Sequence, residues 1–235
     1  MAEQQNNNPK WQLLKMTLKE YRKKVEEDKE WAPGWDAIDA CLMEAYGFQI
    51  PVHFAADLAH RAVFGGDNYL DGCSIYRSKH GHMHLVTYGM TELYANEQAL
   101  GDAYSKFGYE MTFKLPYCEK SEYMWALNML RNLALYTYTT GNRLMPLQYI
   151  SGKGHMIKEN SNSKLTGLLV VTDNELVSAY TVHGRLDFLQ LVGITQAELE
   201  AIISNPSNAE ILVERMIEDY PYLTTDLDRT RDYLP

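Results

Sequence analysis

The sequence predicts an α+β fold: a twisted mixed β-sheet flanked by helices, in a single domain. Three observations carry this expectation. Short β-branched or aromatic runs bounded by Gly, Pro or Ser read as strands. Between and after them, apolar residues step by three and four, the spacing of amphipathic helices. The chain shows no internal repeat and no linker rich in Pro, Gly or Ser, so one packed unit is the economical arrangement. Its 235 residues, 46% apolar and 23% charged, suffice for a sizeable core.

The elements follow in order. Residues 1–8 form a polar Gln/Asn tail. Trp11, Leu14, Leu18, Tyr21 and Val25 then make one apolar helical seam, with Lys15, Lys19, Arg22 and Lys23 off it. Two heptads are too short for a stable coiled coil, so the seam is expected to pack on its own domain, with a homodimer through this helix as the other use of it. Pro33 opens a second helix with Trp35, Ile38, Leu42 and Tyr46 on one face, and Gly47 ends it. Residues 1–31 are therefore set apart as tail and N-terminal amphipathic helix, and 32–235 as the main domain.

Residues 51–64 read as a strand through the alternation of Val52, Phe54, Ala56 and Leu58, with helix the other reading their alanines allow, and Gly65-Gly66-Asp67-Asn68 as a turn. Strands follow at Cys73–Arg77, Met83–Gly89 and Tyr109–Leu115. In the last, Glu110, Thr112 and Lys114 alternate with apolar residues, which predicts one polar, solvated face. Ser121 is a candidate cap for a helix carrying Leu127, Leu130, Ala134 and Tyr138, closed by Gly141. Further strands are expected near 146–151, 166–172, 176–182 and 186–192, with Asn174-Glu175 as a hairpin turn. Capping-box patterns at Thr195/Glu198 and Ser207/Glu210 open two last helices. Val213, Met216, Ile217 and Tyr220 would be the buried stripe of the second.

Charge and cysteine content narrow the function. Lys+Arg 22 against Asp+Glu 31 gives a net charge of −9. Such a chain is poorly suited to nucleic acid or anionic membrane and better suited to a basic protein partner. Cys41, Cys73 and Cys118 make neither a disulfide framework nor a zinc pattern, and the N-terminus is not a signal peptide, so a cytoplasmic setting is expected. Seventeen tyrosines suit wet grooves and interfaces as well as an ordinary half-exposed sheet.

The sharpest chemical cluster is His80-Gly81-His82-Met83-His84. Residues two apart on a strand share a face, so two imidazoles can converge. Three cannot meet one ion, because they fan out along about 13 Å. A third ligand must come from elsewhere; Glu110 is of the right type, but nothing in the sequence places it there. The expectation is a solvated or hydrogen-bonded sheet face and no metal or other cofactor; a metal-dependent enzyme using His82 and His84 is the alternative. Asp67, Asp71 and Asp102 lie in turn-rich segments, where acidic residues serve turn chemistry. No GxSxG, HExxH or P-loop occurs, and Gly152-Lys153-Gly154 lacks the rest of a dinucleotide fingerprint.

Five blocks occur in order: APGWDAID, GGDNYLDGCSIYRS, HMHLVTYGMTELY, KFGYEMTFKL and LDFLQLVGITQAEL. Together they resemble the Suppressor of fused domain, over about residues 32–230. The resemblance implies that family's fold and a non-enzymatic, protein-binding role. Animal members hold a segment of a transcription factor as an added β-strand between two domains, and the second of these is expected to be absent here. Two residues of the family's peptide-binding region have counterparts in Tyr94 and Asp102. Bacterial members resemble immunity proteins of polymorphic toxin systems, which implies a partner that is a toxin, and an acidic chain suits a basic one.

Overall fold

Why the strands sit where they do follows from the two periodicities above. The computed structural model describes residues 16–56 and 69–234. Trp11, Leu14, the polar tail, residues 57–64 of the expected first strand and the 65–68 turn with Asp67 lie outside the described residues. Among those described, the order is α1 (Leu18–Glu27), α2 (Pro33–Tyr46), β1 (Val52–Ala55), β2 (Gly72–Arg77), β3 (His82–Tyr88), β4 (Tyr104–Pro116), α3 (Lys120–Thr140), β5 (Tyr149–Ser151), β6 (Leu165–Thr172), β7 (Ala179–Thr181), β8 (Gly184–Thr195), α4 (Gln196–Ser204) and α5 (Asn208–Asp219). A 3-10 turn, Glu97–Ala99, precedes β4.

One mixed sheet holds the strands in the order β1-β2-β3-β4-β8-β6-β5, with β7 also paired to β8. The β4–β8 pair is parallel and the others are antiparallel. A parallel pair needs a long crossover, and α3 lies on the chain between β4 and β8. One sheet face, with Ile75, Leu85, Met111, Phe113, Leu168 and Leu191, packs under Leu127, Leu130 and Ala134 of α3. The other face is covered in two places. Ile38 and Leu42 of α2 pack on Tyr76, Val86, Tyr88 and Phe188. Leu199, Ile202, Leu212 and Met216 of α4 and α5 pack on Leu169, Val171, Val192 and Ile194.

This double cover corrects one expectation. Glu110, Thr112 and Lys114 do not face solvent; all three are buried. The sequence pattern is that of a half-wet strand, but helices lie on both sides of it.

Local signals fared unevenly. Pro33 at the start and Gly47 at the end bound α2 as expected, Gly47 with φ +62. At α3 the N-cap is Glu119 rather than Ser121, and the Glu122 carboxylate accepts the Glu119 N–H at 2.8 Å. Gly141 closes that helix in the left-handed region. Thr195 and Glu198 form the full capping box. Ser207 does not cap: its backbone is already helical, and its N–H goes to Asn205 Oδ1. The stripe of α5 is Ala209, Leu212 and Met216, while Val213 and Tyr220 are half-buried and Ile217 is exposed. The α5 helix sits rotated because α4, running just before it, supplies the rest of that core.

Asn174-Glu175 is not a hairpin turn. The β6 strand ends opposite Leu189 and β7 resumes opposite Leu186, so residues 173–178 bulge out of one antiparallel edge. The hairpin turn is Val182-His183, between β7 and β8. Its side chain explains α1: Tyr21, buried at the centre of the seam, bonds His183 Nε2 at 3.0 Å and packs edge-on to Trp31. Leu18 remains exposed and Val25 half-buried, so only part of the expected seam is covered by its own domain.

Candidate functional site

The bulge after β6 carries acidic side chains onto the sheet face where the histidines stand. In the β3–β4 register His84 lies opposite Lys114. His82, His84 and Lys114 therefore project together, in the gap between α2 and the C-terminal segment. His82 is 1% exposed, and His84 and Lys114 are fully buried. Of the two expected states, solvated or hydrogen-bonded, the face takes the second: it is hydrogen-bonded and dry, because Tyr46 of α2 and Tyr222 close over it. The Tyr46 hydroxyl meets His84 Nδ1 at 2.5 Å. Tyr222 stacks on His80 and lies 5.9 Å from Lys114 Nζ.

Charges are matched inside. Lys114 Nζ stands 3.1 Å from both Asp173 Oδ1 and Glu175 Oε2, and 2.9 Å from Asn174 Oδ1. Thr112 donates to Asp173 Oδ2 at 2.6 Å and Ser78 to Glu175 Oε1 at 2.9 Å. His82 Nε2 reaches Glu175 Oε2 at 2.6 Å. His84 Nε2 lies 3.0 Å from Asp173 Oδ2, close but off the line of a hydrogen bond. Burial alone pushes the Asp173 carboxyl up, and His84, Lys114 and Thr112 outweigh it, holding it far below the usual carboxylate range. Glu175 feels the same opposition, burial against His82, Lys114 and His84, and is held down at about 2. Burial pushes His84 down, against the pull of Asp173.

A cavity of about 480 Å³ opens beside this centre, lined by Tyr46, Arg77, Lys79, His80, Tyr117 and Glu175. Arg77 lies 4.1 Å over the Tyr117 ring.

Glu110, the residue type suggested as a third ligand, is elsewhere. It is buried on the same strand as Lys114 and accepts from the hydroxyls of Thr87 and Thr91 and the N–H groups of Gly89, Met90 and Thr91. Burial raises its carboxyl against those donors. It pins the chain where β3 ends. The residue that does join the histidines is Glu175: one ligand atom from each of His82, His84 and Glu175 lies within 4.8 Å of the others. Nothing in the sequence spacing pointed to it; the available signal was an Asp-Asn-Glu run interrupting two apolar strands.

Tyr94 and Asp102 sit on the opposite side of β4's start, before and after the 3-10 turn. Tyr94 is half-exposed and its hydroxyl donates to Asp71. Asp102 is exposed; its N–H bonds Ala99 O, and its carboxylate has no hydrogen-bond or ion-pair partner among the described residues. Its carbonyl lies where a Cβ on Gly184 (φ +108) would fall, at 2.5 Å, so the loop and the β7–β8 turn touch closely through glycine.

Cys41, Cys73 and Cys118 form no disulfide, and burial pushes the Cys73 thiol up to about 12, so it is no nucleophile near neutral pH. Among the described residues no helix is long and apolar enough to cross a membrane.

An open mixed sheet with helices on both faces and a buried ionic centre defines an α+β domain whose exposed polar groups lie at its rim. Residues 66–230 match the family model described as Suppressor of fused protein (SUFU). The chain belongs to the Suppressor of fused protein family. The Suppressor of fused homologs of Homo sapiens and Mus musculus are each 28% identical over 182 residues, covering 70% of this chain and 37% of theirs. The chain thus spans little more than a third of those relatives. A chain of the Sufu-Fu complex superposes with TM-score 0.75 at 27% identity, over 86% of this chain and 93% of that one. Drosophila Suppressor of Fused gives 0.74 at 26%, over 88% and 52%. A SUFU homolog from Neisseria gonorrhoeae shares the fold, with TM-score 0.57 at 16% identity over 86% and 99%.

Proposed function

We propose that this chain is a non-enzymatic protein-binding module that takes a segment of a partner protein at the rim formed by Tyr94 and Asp102. The observation that carries the reading is family membership together with the likeness to a chain of the Sufu-Fu complex, a protein–protein assembly. The rim supports it: a carboxylate without a partner among the described residues and a half-exposed tyrosine lie just before strand β4, which suits an incoming segment with backbone groups and a positive charge. The net charge of −9 favours a basic partner.

The finer reading is a cytoplasmic immunity protein that binds and neutralises a basic toxin of a bacterial polymorphic toxin system. The experiment is capture of the partner from the native cells, followed by calorimetry at two salt concentrations. Asp102→Asn should weaken a basic partner more at low salt than at high salt, and Tyr94→Ala should weaken it equally at both. Unchanged affinity in both variants would place the interface elsewhere. A captured protein that is not toxic when expressed alone would end the immunity reading and leave the binding one standing.

The alternative of a metal-dependent enzyme at His82 and His84 gains a third ligating side chain in Glu175.

A further inference from the structure

We infer that His82, His84 and Glu175 form a binding site for a divalent transition-metal ion of the zinc class, with the Lys114 ammonium as its built-in competitor.

The ligand types come first. Two imidazoles and one carboxylate are a set that zinc takes, leaving a fourth position open. His84 Nδ1 and His82 Nε2 lie 3.8 Å and 2.6 Å from the same atom, Glu175 Oε2. Bond lengths of about 2.0–2.1 Å put ligand atoms roughly 3.3 Å apart on a tetrahedral ion. These two distances bracket that value, and all three ligand atoms lie within 4.8 Å of one another, so side-chain movements bring the set together.

The carboxylate behind His84 points the same way. Asp173 Oδ2 stands 3.0 Å from His84 Nε2. A carboxylate there favours the proton on Nε2 and leaves the Nδ1 lone pair facing Glu175, the carboxylate–histidine–metal arrangement. In the structure the Tyr46 hydroxyl stands at that nitrogen.

Charge favours an ion as well. Asp173 and Glu175 face the single ammonium of Lys114. Two carboxylates against one ammonium leave room for further positive charge, which a divalent ion supplies. The cavity lined by Tyr46, Ser78 and Tyr117 reaches Glu175, one of the three ligating side chains.

The sequence-based expectation of no metal rested on a missing third ligand from another strand. The bulge after β6 supplies it.

The test uses the full chain, stripped with chelator. Zinc chloride is titrated by calorimetry, and cobalt chloride by visible absorption. One equivalent should bind, and cobalt should show the d–d bands of a tetrahedral nitrogen–oxygen site. Glu175→Gln and His84→Ala should each weaken zinc about 100-fold or more, and Asp173→Asn about 10–100-fold. His80→Ala, on the exposed side of Tyr222, should change nothing. Lys114→Met should bind zinc more tightly, and zinc should raise its melting temperature more than that of the wild type. Absence of stoichiometric binding overturns the inference, as does binding undiminished by Glu175→Gln, which would mark an adventitious surface site. If His84→Ala or Lys114→Met does not fold, the near-isosteric Glu175→Gln comparison decides alone.

Discussion

His84 and His183 are both fully buried imidazoles beside a tyrosine hydroxyl, and they stand in opposite electrostatic settings. Around His84 the neighbours are ions: Asp173, Glu175 and Lys114, gathered from β4 and the bulge after β6. Around His183 the direct partners are neutral. Its Nε2 accepts from the Asn96 N–H at 3.3 Å and meets the Tyr21 hydroxyl. The first arrangement is a set of mutually dependent charges in which no member can be removed alone. The second is a dock, holding α1 to the β7–β8 turn through one ring. The difference teaches where this fold tolerates change: at the rim, where the binding residues are proposed, and not in the ionic centre.

The largest expected effect breaks the first region. Lys114→Met leaves Asp173 and Glu175 buried without their common ammonium, and should cost about 3–5 kcal/mol in urea unfolding of the metal-free protein. A cost below about 1 kcal/mol would mean that the carboxylates take up protons or water freely, and the contrast with His183 would collapse.

The second prediction breaks the dock. Deleting residues 1–30 removes Tyr21, the one fully buried side chain of α1. The loss should be about 1.5–3 kcal/mol, the burial of one large side chain, with near-UV circular dichroism still that of a folded domain. A molten spectrum would show that α1 belongs to the core and that the division at residue 31 is wrong.

The third sharpens the comparison with pH. Burial holds His183 below its ordinary value of 6.5, against the pull of Glu92 and Asp102. A group with a lowered folded value contributes stability above its unfolded value and loses it as pH falls through the folded one. Wild type should therefore lose stability as pH drops below about 6.5. His183→Gln, compared over the same range, should lack that component. Parallel curves for the two proteins would remove His183 as its source.

The smallest effect belongs to the rim. Asp102→Asn should change stability by no more than about 0.5 kcal/mol, because its carboxylate has no described partner. A larger loss, measured by melting temperature, would make Asp102 a turn-fixing residue and weaken its claim on a partner.

Much of this was legible in residues. The limits of α2 came from Pro33 and Gly47, and the start of α4 from Thr195 and Glu198, because caps and left-handed glycines act within a few residues of themselves. The five ordered blocks carried the family. What stayed hidden involved distance along the chain. The alternation Glu110, Thr112, Lys114 is the same whether the far face meets water or a helix. Only the packing of α2 and the C-terminal segment over that face decided that it is dry. Once dry, the face required partners for each charge, and those arrived from residues 173–175, about sixty positions away. A strand's pattern records that a side chain is polar; whether the polarity meets solvent or an opposite charge depends on which distant segment closes over it, since desolvation is a property of the assembled fold.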